Sequence, residues 1–129
     1  VVFSEATTAL MAMIGLDDAG RKATGHSMFT LESHINYLQE VKQGKEIAVQ
    51  TQILGSDAKR LQIYQTMVLL GTGTLLAANE QMLMNIDMSG PRAAPFASTV
   101  MARVQMLTVA HRSLPRPKYA GRVIALPGG

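Results

Sequence analysis

Phe29-Thr30-Leu31-Glu32-Ser33-His34-Ile35-Asn36-Tyr37-Leu38 is the stretch whose period decides the fold. Phe29, Leu31, Ser33, Ile35 and Tyr37 alternate with Thr30, Glu32, His34 and Asn36, the two-residue repeat of a strand with one apolar and one polar face. The strand spans Met28 to Leu38. Upstream the period changes. Val2, Phe3, Ala6, Ala9, Leu10, Met13 and Ile14 fall at helical spacing, and Gly15 followed by Leu16 is a stop signal for a helix over 1–14. No Ser, Thr, Asp or Asn precedes this helix, so further chain ahead of Val1 is expected. Asp17 to Ser27 reads as turn-rich.

Downstream, Lys42-Gln43-Gly44-Lys45 reads as a turn, Glu46 to Leu54 as a second strand, and Gly55-Ser56-Asp57 as the next turn. Arg60 to Leu70 and Leu75 to Ile86 are the third and fourth strands, joined by a hairpin at Gly71-Thr72-Gly73. Those two glycines are no phosphate loop, because neither a third glycine nor a following helix completes one. Pro91 and Pro95 mark a loop, Ser98 or Thr99 caps a second long helix to about His111, and Pro115 and Pro117 end it before an extended tail at 122–126. Connections this short exclude parallel crossovers. The pattern predicts an α+β fold in which four strands form an antiparallel meander wrapped on the first helix, as one domain over 1–129.

Composition narrows the chemistry. Cysteine is absent, which removes disulfides, thiolate catalysis and thiolate metal sites, and agrees with a cytoplasmic protein. No apolar run is long enough to span a bilayer, and no secretory signal opens the chain. Residues 88–129 carry six bases (Arg92, Arg103, Arg112, Arg116, Lys118, Arg122) and no acid. No recognition helix or aromatic RNA-binding motif accompanies that charge, so nucleic acid is not an expected partner, nor is a membrane. The three histidines, His26, His34 and His111, lack metal-ligand spacing, and no metal is expected. Gly25-His26-Ser27-Met28-Phe29 lacks the second glycine of a serine-hydrolase elbow.

Val1-Val2-Phe3-Ser4-Glu5-Ala6, Glu32-Ser33-His34-Ile35-Asn36-Tyr37-Leu38, Gly44, and Ala77-Ala78-Asn79-Glu80-Gln81 ending at Asp87 together resemble the 4-hydroxybenzoyl-CoA thioesterase family, nearly over the whole chain. The likeness extends to its betainyl-CoA thioesterase branch through residues 29–38, Asp57-Ala58-Lys59-Arg60-Leu61 and Asn79-Glu80-Gln81-Met82-Leu83. The resemblance implies a hotdog fold, a sheet wrapped around a central helix, and hydrolysis of an acyl-CoA thioester at a site shared between subunits of a dimer or tetramer. Coenzyme A then enters as part of the substrate, and no separate cofactor is implied. The family's Asp, followed by Gly-His and Asn, sits in the loop leading into the central helix. That loop would precede Val1, so a missing N-terminal strand and catalytic loop are expected there. In the family this Asp is general base or nucleophile, while the helix N-terminus polarises the thioester carbonyl.

Within the chain, Glu32, His34 and Asn36 share one strand face and can line an acyl pocket, with Glu32 or His34 assisting a water. The same pattern also suits an ordinary solvated strand face. A betainyl group would need aromatic faces and a carboxylate, for which Glu32 is the expected anion. Lys59 and Arg60 are expected at the CoA phosphates, with Arg92 and Arg122 as further candidates. Glu80, a charge inside an apolar strand, needs a partner or an opening to water. Two other functions fit the residues: a hotdog dehydratase of hydroxyacyl thioesters using His34 and a carboxylate, and a non-catalytic acyl-CoA-binding domain.

Overall fold

A computed structural model of the chain describes residues 2–40 and 44–112; the expected turn at 42–43, Arg116, Lys118 and the tail at 122–126 lie outside them. The opening helix α1 runs Val2–Met13. Gly15 ends it at φ 93°, a conformation costly for any residue with a Cβ, and buries Leu16 completely behind it. Its buried residues are Leu10 and Met11, followed by Ile14 just past its end, while Met13 is 57% exposed and Ala9 is also exposed. The apolar stripe is therefore turned toward Met11 relative to the expected one.

The turn-rich stretch contains a short helix, α2 (Asp18–Thr24). Asp17 caps it by accepting from the Gly20 N–H at 2.8 Å, and Gly25 closes it in the left-handed conformation with its N–H on Arg21 O. Both cap residues stand in the sequence, but α2 buries no residue, so no apolar period announces it. A Cβ on Gly20 would meet the carbonyl oxygen of Gly15 at 1.7 Å. Gly20→Ala is expected to cost about 2 kcal/mol, limited by how far the peripheral α2 can shift, and thermal unfolding measures it. An unchanged Tm would mean that α2 does not pack here.

The strands are β1 (His26–Tyr37), β2 (Ile47–Ser56), β3 (Arg60–Leu69), β4 (Leu75–Asp87) and a two-residue β5 (Arg92–Ala93) inside the proline-marked loop. Helix α3 (Ser98–Arg112) follows. All pairings are antiparallel, but the order is β1-β4-β3-β2 with β5 on β4, not a simple meander. β1 leaves its sequence neighbour and pairs with β4. Residues 38–46 have the reach for this, since three interstrand gaps span only about 14 Å. The expected turn at 55–57 is also displaced: Gly55 and Ser56 continue β2, and the chain reverses at Asp57 to Lys59.

One face of the sheet carries Ile53, Leu61, Ile63 and Leu83 against Leu10, Met11, Ile14 and Leu16 of the α1 region and Phe96, Val100 and Val104 at α3. This cluster is the main core among the described residues; Tyr64, Leu76, Ala77, Ala78 and Ile86 are buried outside it. His111 Nδ1 accepts the Ile53 N–H at 2.9 Å and ties the end of α3 to β2, a structural use of that histidine. Among the described residues no helix is long and apolar enough to cross a membrane.

Candidate active site

Ladder partners share a face, so the core assigns every strand residue to the helix side or the far side of the sheet. Leu83 is a core residue opposite Leu61 on β3 and Thr30 on β1. Between Thr30 and Glu32 the register shifts by a bulge, which leaves Leu31 without a ladder partner. Ser33, Ile35 and Tyr37 therefore face α1, whereas Phe29, opposite Met84, lies on the far side. The bulge splits the apolar face expected from strict alternation.

On the helix side, past the apolar core, lies a polar chain buried under the first two turns of α1. Ser33 Oγ donates to Asn79 Oδ1 at 2.8 Å, and Asn79 Nδ2 donates to Gln65 Oε1 at 3.4 Å. Gln65 Nε2 donates to Thr7 Oγ1 at 3.0 Å and to the Phe3 carbonyl at 3.4 Å. Thr7 Oγ1 also lies within 3.4 Å of Gln81 Oε1. Gln65 is 0% and Asn79 1% exposed, so these amides have exchanged water for one another. The chain of bonds holds the N-terminal half of α1 in register with β1, β3 and β4. Sequence reasoning passed over Gln65 and treated Asn79 and Gln81 only as resemblance. The available signal was phase: Gln65, like Leu61 and Ile63, occupies a core-facing position.

One strand step beyond the Gln65 and Asn79 row, at the N-terminal end of α1, the sheet opens into a cleft of about 630 Å³. Tyr37, Leu38, Gln39, Glu40, Met67, Leu76 and Ala77 line it. Its walls are mainly apolar, and Glu40 supplies a carboxylate.

Glu32, His34 and Asn36 do fall in one row, on the far side of the sheet, opposite Met82, Glu80 and Ala78. Glu80 in turn opposes Tyr64 and accepts a hydrogen bond from Gln62 Nε2 at 2.6 Å, which answers the need of a mid-strand charge for a partner. His26 Nδ1 lies 3.1 Å from Asn85 Nδ2, where it helps fasten the 94–95 loop to β4.

Lys59 and Arg60 lie at the β2–β3 turn, at the other end of the sheet from the cleft. Asp57 organises the turn by accepting from the Lys59 and Arg60 N–H groups at 2.9 and 2.7 Å, and its carboxylate pairs with the Arg60 guanidinium at 2.7 Å. The Lys59 N–H first, then the Arg60 side chain, hold the Asp57 carboxyl below its usual range. A depressed carboxylate strengthens the fold only while ionised, so this contribution is present above the ordinary Asp pKa and fades as pH falls through the lowered one. A groove of about 480 Å³ adjoins, lined by Ala58, Lys59, Arg60, Met84 and Ala93. Arg92 opposes Asp87 on β5, and Arg122 lies outside the described residues.

Known proteins sharpen the reading of this arrangement. A family model described as thioesterase-like superfamily matches residues 1–104. A betainyl-CoA thioesterase of Pseudomonas aeruginosa is 56% identical over 127 residues, covering 98% of this chain and 80% of that protein. A putative thioesterase from Pseudomonas putida superposes with a TM-score of 0.80 at 45% identity, over 97% of this chain and 79% of the other. A Staphylococcus aureus protein, solved in complex with CoA, superposes with a TM-score of 0.90 at 28% identity, again over 98% and 79%.

Proposed function

This chain belongs to the thioesterase-like superfamily with a hotdog fold, and from that premise we propose that it hydrolyses a small acyl-CoA thioester, betainyl-CoA, to free CoA and the acyl carboxylate. The observation that carries this reading is the mainly apolar cleft one strand step beyond Gln65 and Asn79, with ample room for a short acyl group. Water attack on the thioester carbonyl places negative charge on its oxygen. In the family resemblance the N-terminus of this helix stabilises that charge, and the Thr7, Gln65 and Asn79 chain holds α1 on the sheet beside the cleft. The carboxylate that activates the water is, in this reading, the Asp that the family resemblance places ahead of Val1. The identity with a betainyl-CoA thioesterase supports the choice of acyl group.

The reading includes a second copy of the chain. β1 is a twelve-residue edge strand with Phe29, Leu31 and Ile35 between 44% and 49% exposed, a surface that favours strand pairing. In each copy the helix start lies at the Tyr37 end of β1 and the β2–β3 turn at the His26 end. Antiparallel pairing of two β1 strands about a twofold axis brings opposite ends together. The partner subunit's Lys59 and Arg60 would then sit at the end of the sheet that holds the cleft. Within one chain seven strand steps, about 24 Å, separate Arg60 from Met67 at the cleft.

Release of free thiol from betainyl-CoA by the full-length protein tests the reaction. An altered acyl chain with no thiol released would instead indicate a dehydratase, and binding without turnover a non-catalytic acyl-CoA-binding domain. Replacing Lys59 and Arg60 together by Ala is expected to raise KM for CoA esters about tenfold, with strong salt dependence. The KM of a pantetheine thioester, which lacks the nucleotide phosphates, should stay put. Equal KM changes for both esters would remove these residues from the CoA phosphates.

A further inference from the structure

Building on that hydrolase reading, we propose that Tyr37 and Glu40, at the rim of the α1 cleft, form the seat for the trimethylammonium head of the acyl group and set the preference for a cationic substrate. The argument starts from the substrate's own geometry. In a betainyl thioester the quaternary nitrogen is two bonds from the carbonyl carbon. Whatever polarises the carbonyl must therefore stand beside whatever accepts the cation. The positive end of α1 attracts the developing oxyanion but repels a fixed ammonium charge, so the neighbouring wall has to supply compensation.

A quaternary ammonium has no N–H to donate. It can be held only by apolar contact, aromatic faces and through-space attraction to a carboxylate. The cleft brings these together: Met67, Leu76 and Ala77 give apolar walls, Tyr37 a ring and Glu40 a negative charge. Tyr37 is 78% exposed, on the helix side of the sheet opposite Ala77, and so presents its ring to the cleft without a role in the core. Glu32, the acid expected from sequence for this task, is directed to the far side of the sheet opposite Met82.

The test compares betainyl-CoA with 3,3-dimethylbutanoyl-CoA, a neutral ester of the same shape in which carbon replaces the charged nitrogen. Full-length protein should prefer the cationic ester. Tyr37→Leu and Glu40→Gln are each expected to raise KM for betainyl-CoA about tenfold with little change in kcat, and to leave the neutral ester within about twofold. Both side chains are exposed, so the folded state of each variant is checked by its Tm. Equal losses on both esters, or a preference unchanged in both variants, would overturn the proposal while leaving the hydrolase reading intact. So would a preference that disappears in Glu32→Gln instead. Failure of the unaltered protein to release thiol from either ester would overturn the hydrolase reading itself.

Discussion

Leu31→Lys combined with Ile35→Lys is expected to give a folded monomer whose thioester hydrolysis is lower on the order of 100-fold. Leu31 is 49% and Ile35 44% exposed in the single chain, so neither substitution digs into its core. Leu31 sits at the bulge and Ile35 faces the helix side, opposite Asn79. Lysines at these points would have to lose their hydration when two β1 strands pair, a cost that unpaired strands avoid. In the proposed dimer, separation of the copies would withdraw the partner's β2–β3 turn from the cleft, and with it the orientation of the CoA ester. Light scattering after size exclusion would report the mass, circular dichroism the fold, and thiol release the rate. A well-folded monomer with full turnover would refute a shared site; a persisting dimer would refute pairing through β1.

The second large effect lies inside the chain. Gln65→Leu keeps the side chain's bulk but removes three hydrogen bonds, to Thr7, to the Phe3 carbonyl and from Asn79. Asn79 is 1% exposed and cannot recover its lost acceptor from bulk water. A buried donor left without a partner costs about 1–3 kcal/mol, and the loosened α1 start adds to this, so a total of about 3 kcal/mol is expected. On the proposed mechanism, hydrolysis should fall about tenfold through kcat rather than KM, because the helix that would polarise the carbonyl loses its anchor on the sheet. Adding Asn79→Leu should restore part of the stability, since two apolar partners leave no orphaned amide between them. Chemical denaturation of the two single variants and the double variant measures the coupling. Strict additivity would mean that Gln65 and Asn79 do not act as one chain.

Much of the fold was legible because it is local. The strand period of 28–38, the helix stop at Gly15, the hairpin at Gly71 and Gly73, and the start of the last helix at Ser98 all depend on local residues, although Ser98 opens that helix from inside it and does not cap it. The hairpin glycines take φ 93° and 73°, the values that a tight reversal favours there. α2 was also written locally, in Asp17 and Gly25, but with no buried face it left no apolar rhythm to notice. Of the candidate residues, Glu32, His34 and Asn36 do share one face, as alternation requires, while Lys59 and Arg60 do mark a turn. The polar chain under α1 stayed hidden because Ser33, Gln65 and Asn79 are far apart in sequence and look like ordinary strand residues.

The order of amino acids by itself determined which segments extend, which coil and where the chain reverses, since steric and capping preferences act over a few residues. It also carried the family likeness. Only the assembled sheet decided that β1 lies beside β4 and that Ser33, Ile35 and Tyr37 look toward the helix. The reason is the bulge at Leu31: one extra residue inverts the facing of everything after it, and its position is set by pairing with a strand some fifty residues away.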